Sequence, residues 1–403
     1  MAKLINIKSF QEFFKSGSSS GVILLICVVV SLFIANSPLH AGFNDLLQTT
    51  FGYHSEVVHL HYTLLTWIND GLMAIFFLLV GLEIKRELVE GELASLKKAT
   101  LPVFAALGGV LAPALIYTLF NRGTDLAGGW GVPMATDIAF ALAIVTLLGK
   151  KVPNSLKIFL AALAIVDDLM AILVIAIFYS SSLHFDYLFY AALIFILLLI
   201  FNKTGVKSIA FYVIPGAFMW YFIHHSGIHA TIAGVLTAFT LPTTPNDNSS
   251  PSSLERLEHM LIVPVNFFIM PLFALANTNI TYEKGMIEGL FTPLGLGIAL
   301  GLLLGKPIGI TALSWLAVKL KISNKPRGAK WRHLIGVGML GGIGFTMSIF
   351  IAILSFARNP DILSEAKFAI LIGSVLSGLA GSLFLLTNHR IDKKKNFNAS
   401  EEE

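Results

Sequence analysis

Two carboxylates stand side by side at Asp167 and Asp168, in the run ALAIVDDLMAILVI from Ala162 to Ile175. Adjacent acids can hold protons, hold a cation, or exchange one for the other. A helix over about Leu156 to Tyr179 would carry the first of them roughly halfway across a hydrocarbon core about 30 Å thick. Each charge at that depth costs about 2.5 to 3.5 kcal/mol, and the nearest base, Lys157, is almost three helical turns away. Something other than lipid must solvate the pair. Two such neighbours titrate as one coupled unit, so the site can take protons or a small cation but not both at once. Hard oxygen ligands suit an alkali cation.

Three further residues belong to interrupted helices. The segment GGWGVPMATDIAFALAIVTLLG places Gly128, Gly129 and Gly131 just before Pro133, which removes a backbone donor. The segment HLIGVGMLGGIGFTMSIF has glycines at 336, 338, 341, 342 and 344, and five in nine residues exceed what close helix packing needs. Both helices are expected to break in mid-membrane, leaving half-helix N-termini that are partly positive and C-termini that are partly negative. Asp137 can lie beside the N-terminal ends. Lys306, in GLLLGKPIGI before Pro307, can lie beside the C-terminal ones, and the Thr136 hydroxyl can satisfy freed backbone groups. A purely structural role, with Lys306 pairing a buried Asp and Asp137 neutralising dipoles, accounts for these residues equally well.

The elements that position them follow from composition. The 403 residues are 55% hydrophobic and only 13% charged, with a mean hydropathy of +0.78, and that combination describes an all-α polytopic membrane protein. Twelve apolar segments are long enough, or nearly so, to span: 21–36, 62–83, 99–120, 129–148, 156–179, 187–202, 206–223, 226–241, 259–276, 292–318, 334–356 and 366–387. The seventh and eighth are short. Segments 3 to 5 and 10 to 12 form two triplets with the interrupted member in the middle, and an odd separation makes them run in opposite directions. That is an inverted repeat.

Lys and Arg set the orientation. With the N-terminus inside, the inner loops and adjoining span ends hold 23 of the 28, the outer ones four, and Lys306 lies within a span. Both termini are therefore expected in the cytoplasm. The chain reads as a tail at 1–20 that is either a short helix on the membrane surface or an ordinary solvated tail, a twelve-span transporter domain at 21–387, and a tail at 388–403 whose end, Lys393 to Glu403, is polar and disordered. The outer loop Ser37 to His61 holds a candidate β-hairpin around Thr49 to Val58, and Pro242 to Ser253 reads as a flexible connector between two halves. One cysteine, Cys27, excludes an intramolecular disulfide framework. No basic stripe asks for nucleic acid. No cofactor and no enzymatic chemistry are expected.

The stretches MATDIAFALAIV, LAALAIVDDLMAIL, GLEIKRE, SGIHATIAGV, LEHML, GKPIGI and GGIGFTMSIFI resemble the NhaA family of sodium/proton antiporters, and the likeness runs from about Asn36 to Thr387. The resemblance implies twelve spans in the bacterial inner membrane, with crossed broken helices at segments 4 and 11. It implies electrogenic exchange of two inward protons for each outward sodium or lithium ion, regulated by pH. It assigns Asp167 and Asp168 to the ion and proton site, Lys306 as the partner of Asp167, and Thr136 with Asp137 to the crossing. Glu83, Lys85, Arg86, Glu87, Glu258 and His259 map onto a pH-sensing cytoplasmic mouth, and the first outer loop onto a homodimer contact. On the residues alone, the run Glu83 to Glu92 reads as a solvated helix end with i,i+4 pairing. His229, which the resemblance links to pH response, stays outside the core site.

Two other classes need weighing. An intramembrane aspartyl protease needs two aspartates on different helices sharing a proton, whereas adjacent residues diverge by about 100° around one helix. A cation channel would more naturally show repeated filter elements than one titratable site inside an internal repeat.

Overall fold

The computed structural model describes residues 19–55, 59–180, 183–244 and 251–401. The expected surface helix at the N-terminus, residues 56–58 of the expected hairpin and half of the 242–253 connector lie outside the described residues. Among the described residues, eight helices are long and apolar enough to cross a membrane, or ten if two bent pairs each count as one span. In chain order the helices are α1 (Ser19–Ala35), α2 (His40–Gln48), α3 (Leu64–Val89), α4 (Leu96–Asn121), α5 (Ala127–Leu148), α6 (Asn154–Phe178) and α7 (Phe185–Lys203). They continue as α8 (Ala210–His225), α9 (Ile232–Thr240), α10 (Ser253–Asn277), α11 (Pro293–Lys319), α12 (Trp331–Gly341), α13 (Phe345–Ser355) and α14 (Pro360–Glu401). The bent pairs are α1 with α2, at 110°, and α12 with α13, at 48°. At 16 and 9 residues, α8 and α9 fall short of a full span, as their short apolar runs require.

Two compact units divide the chain. The first combines Met1–Ile26, Lys97–Asp167 and Glu283–Glu403, and so holds segments 3, 4, 10, 11 and 12 together with segment 5 as far as Asp167. Small residues let its helices touch. A Cβ on Gly108 would sit 2.0 Å from the Gly309 carbonyl oxygen, and one on Gly309 would sit 1.9 Å from that of Gly108, so α4 and α11 meet backbone to backbone. The glycines before and at the α12–α13 break behave alike: Gly338 abuts Pro307, Gly342 the Leu302 carbonyl, and Gly344 the Ser348 hydroxyl. Gly336 and Gly341 are packed against Leu385 and Ile310, and none of the five has a positive φ. Close packing therefore does account for these glycines, contrary to the expectation that they exceed it. The helix tightens through Gly342 and Ile343, whose N–H groups donate to the Met339 and Leu340 carbonyls, and breaks at Gly344, whose N–H turns to the Ser374 hydroxyl; no left-handed residue turns it.

The second unit combines Cys27–Leu96 and Asp168–Tyr282. Its core gathers Leu82, Tyr212, Met219, Ile223, Leu241 and Leu254. Gly234 of α9 lies so close to α3 that a Cβ there would be 2.2 Å from the Ala74 carbonyl oxygen. The loop expected outside, Ser37 to His61, contains the helix α2, which the sequence did not announce, followed by β1 (Thr50–His54) and β2 (His59–Thr63), paired antiparallel with Thr50 opposite Thr63. The hairpin thus extends five residues beyond its expected end and takes the first two residues assigned to segment 2. The 242–253 stretch does not divide two halves: it falls inside this unit, where Leu254 donates to the Pro242 carbonyl at 3.3 Å. At the other end of the chain, α14 runs through Glu401 across the tail expected to be disordered, because no proline or glycine follows Gly381 to stop it.

Candidate functional site

The site in the first unit begins with a broken helix. The first half of α5 is wound as a tight 3₁₀ spiral, Ala127–Met134, in which Pro133 contributes no donor. The backbone is then extended at Ala135 and at Asp137 before the helix resumes at Ile138. Asp137 is the N-cap of this second half, its Oδ1 accepting from the Phe140 N–H at 3.1 Å. Its Oδ2 reaches another helix start, accepting from the Thr346 N–H at 3.1 Å and from the Thr346 hydroxyl. One carboxylate therefore faces the N-termini of α5's second half and of α13. The breaks also touch through backbone, the Asp137 N–H donating to the Ile343 carbonyl at 2.6 Å.

Lys306 is held by local geometry as much as by its partners. A π turn at Gly301–Gly305, one residue wider than an α turn, immediately precedes it, and Pro307 follows. The side chain is fully buried, and the close α4 contact leaves Gly109 only a Cβ's width from its Cδ. Nζ donates to Asp167 Oδ2 at 2.7 Å and to Thr136 Oγ1 at 2.9 Å. Thr136 passes the chain on, its hydroxyl donating to the Gly341 carbonyl at 2.8 Å, at the C-terminal end of α12. A cation, a hydroxyl and a negative helix end are thus joined in series. The other oxygen of Asp167, Oδ1, is buried with no hydrogen-bond partner among the described residues. That leaves a hard anionic acceptor available for a small cation. Asp168, the next residue of α6, is 2% exposed.

A family model described as Na+/H+ antiporter 1 matches residues 11–385. The chain belongs to this antiporter family. Within it, the chain is 63% identical over 396 residues to "Na(+)/H(+) antiporter NhaA 2" of Flavobacterium johnsoniae, covering 98% of this chain and 96% of that one. It is 50% identical over 388 residues to "Na(+)/H(+) antiporter NhaA" of Flavobacterium psychrophilum, covering 96% and 98%. With the protein of the same name from Escherichia coli O1:K1 / APEC the identity is 45% over 382 residues, covering 94% and 98%. These relatives and the apolar helices make this antiporter family member a multi-pass bacterial membrane protein and not an enzyme.

The second group of candidate residues lies in the second unit. Arg86 pairs with Glu258 at 3.1 Å and with Glu87 at 3.6 Å, and Glu87 also accepts from the Glu92 N–H at 2.9 Å. Lys85 turns elsewhere. Its Nζ donates to the Phe239 and Leu241 carbonyls at 2.7 and 2.5 Å, satisfying the end of the short helix α9. Glu83 is half-buried on the same helix as Arg86, and His259 is exposed.

Sequence reasoning missed several partners. Thr346 and Ser374 carry much of the work at the α13 start, the Ser374 hydroxyl accepting from the Gly344 and Phe345 N–H groups at 3.3 and 3.2 Å. Their only signal was a hydroxyl inside an apolar run. Asp70 was visible as another intramembrane acid, in WINDGLMAI; its carboxylate faces His224 at 3.6 Å and His229 at 3.8 Å. His229 therefore has an ionisable neighbour that spacing did not reveal.

Proposed function

We propose that this protein exports sodium or lithium from the cytoplasm in exchange for protons, by alternating access, with Asp167 and Asp168 as the shared ion and proton site. The observation that carries the reading is the buried Lys306–Asp167–Thr136 chain beside a broken helix, with an acceptor oxygen of Asp167 left over. The names of the relatives, each an Na(+)/H(+) antiporter, support the pair of cargo ions. A cation arriving at Asp167 competes with the Lys306 ammonium for the same carboxylate. The displaced lysine, desolvated and without its partner, releases a proton, and Asp168 releases the second. Two protons leave as one cation arrives, so the site becomes one unit more negative, and the cycle is electrogenic.

The architecture proposed for this cycle has twelve spans, with α8 and α9 supplying the seventh and eighth. It sits in the inner membrane with both termini cytoplasmic, in line with the Lys and Arg bias. Segments 3 to 5 and 10 to 12 form the inverted repeat. The interrupted helices cross at Thr136–Asp137, and Asp137 and Lys306 compensate the charges of their ends. The group Glu83, Lys85, Arg86, Glu87, Glu258 and His259 forms the pH-sensing mouth. A homodimer forms partly through the first outer loop.

The experiment is dye-reported proton movement in everted vesicles on adding sodium, for wild type and Asp168→Asn. Wild type is expected to discharge the proton gradient, and the variant, inserted and folded, to leave it intact. Near-normal exchange by the variant would remove the site assignment. Sodium-dependent proton movement also separates antiport from a protease or a channel.

A further inference from the structure

We propose that one face of the outer β1–β2 hairpin is a transition-metal site, in which His54, His59 and His61 bind one divalent ion of the zinc type through their imidazole nitrogens. The register decides which side chains meet. His54 stands opposite His59, and Gly52 stands opposite His61. Side chains alternate along a strand, so residues 52, 54, 59 and 61 share one face, while Tyr53 and Leu60 point from the other. All three imidazoles are exposed. Gly52 presents no side chain to His61, and none could be added there: a Cβ would fall 1.9 Å from the Leu60 carbonyl oxygen, and φ is +129°.

The cross-strand pair already has a ligand's spacing. His54 Nδ1 and His59 Nδ1 are 3.2 Å apart, with ring centroids 4.7 Å apart and planes inclined by 44°. Two nitrogens each about 2.05 Å from a tetrahedral zinc ion lie about 3.3 Å from one another. In the metal-free hairpin one ring donates an N–H to the other. Metal takes the place of that shared hydrogen, which moves to Nε2 of the same ring, so neutral imidazoles bind without releasing a proton. Among the described residues no three His, Cys, Asp or Glu side chains are already gathered around a point. His61 joins by rotation of its side chain, two residues along the strand from His59. Two histidines at i and i+2 with a third across the ladder make a three-imidazole set, and water completes the shell.

The test uses the full-length protein in detergent, purified on a tag free of histidine, and titrated with Co²⁺ under visible absorption with Zn²⁺ as competitor. The expected result is one saturable four-coordinate cobalt site per chain that zinc displaces. Affinity should fall roughly tenfold or more in His54→Ala, His59→Ala and His61→Ala, since even the loss of an outer-shell partner costs about that much. His224→Ala, outside the hairpin, should leave it unchanged. The substituted side chains are exposed, so an unaltered elution profile separates ligand loss from misfolding. No saturable binding, or full affinity in His54→Ala or His59→Ala, overturns the site. Full affinity in His61→Ala overturns the three-imidazole set, and a loss confined to His224→Ala moves the metal away from the hairpin.

Discussion

Lys306 and Asp167 have both given up water to face each other at 2.7 Å, with the lysine fully buried and the aspartate 2% exposed. Such a pair adds little net stability, but removing one member leaves the other charged and unsolvated. Lys306→Ala is expected to lower stability by about 3 to 5 kcal/mol, and adding Asp167→Asn should restore part of the loss. Thermal unfolding of the four proteins in a double-mutant cycle measures the coupling, and additivity would show that the two do not interact. Asp137 offers a second test. An ordinary N-cap contributes about 0.5 to 2 kcal/mol, whereas this carboxylate serves two helix starts. Asp137→Ala should therefore cost more than Thr346→Val, which removes a hydroxyl from one of them. Equal losses would show that the bonds from the Phe140 and Thr346 N–H groups carry no weight.

Helix placement depends on surfaces without side chains. The α4–α11 contact at Gly108 and Gly309 sets the position of Lys306, three residues before Gly309. Gly309→Val should force the helices apart and reduce both thermal stability and sodium-dependent proton release, while Gly128→Ala, with open space around it, should change neither. A second element contact lies at the end of α14. Asp392 accepts from Lys330 and Arg332 and lies 3.1 Å from His333 Nε2, so the last helix holds the first turn of α12. These groups are partly solvated, and exposed pairs contribute little to global stability. Asp392→Asn is accordingly expected to leave the unfolding temperature nearly unchanged while speeding hydrogen exchange over Trp331–Gly341. Unchanged exchange there would show that α12 is held by its packing alone.

For the molecule as a whole, the proposed charge count has an electrical consequence. One net charge per turnover couples transport to voltage at about 2.3 kcal/mol per 100 mV. Sodium gradients across reconstituted protein on a solid-supported membrane should therefore drive a current. Lys306→Gln keeps a polar group against Asp167 but has no proton to release, so exchange by a surviving variant should be electroneutral. No current from an active wild type would rule out two-for-one exchange. An undiminished current per turnover from the variant would move the second proton away from Lys306.

The apolar runs, the uncompensated acids at Asp167 and Asp168, and the proline at 133 could all be interpreted from the linear sequence, because membrane solvation and backbone donors act on each residue where it stands. So could the short runs that become α8 and α9. The partner of Lys306 was not legible from spacing; only the likeness to known antiporters named Asp167, 139 positions away. Thr346 and Ser374 were invisible for the same reason, since a hydroxyl in an apolar helix announces no target. The glycines of α12 were legible as unusual but not for the right cause: whether small residues mark a break or a tight contact depends on what packs against them. The connector at 242–253 looked like a boundary by composition, yet lies within one compact unit. Local chemistry decides which residues cannot face lipid, and tertiary packing decides what they face instead, because a buried charge takes its partner from whichever helix the small residues allow to approach.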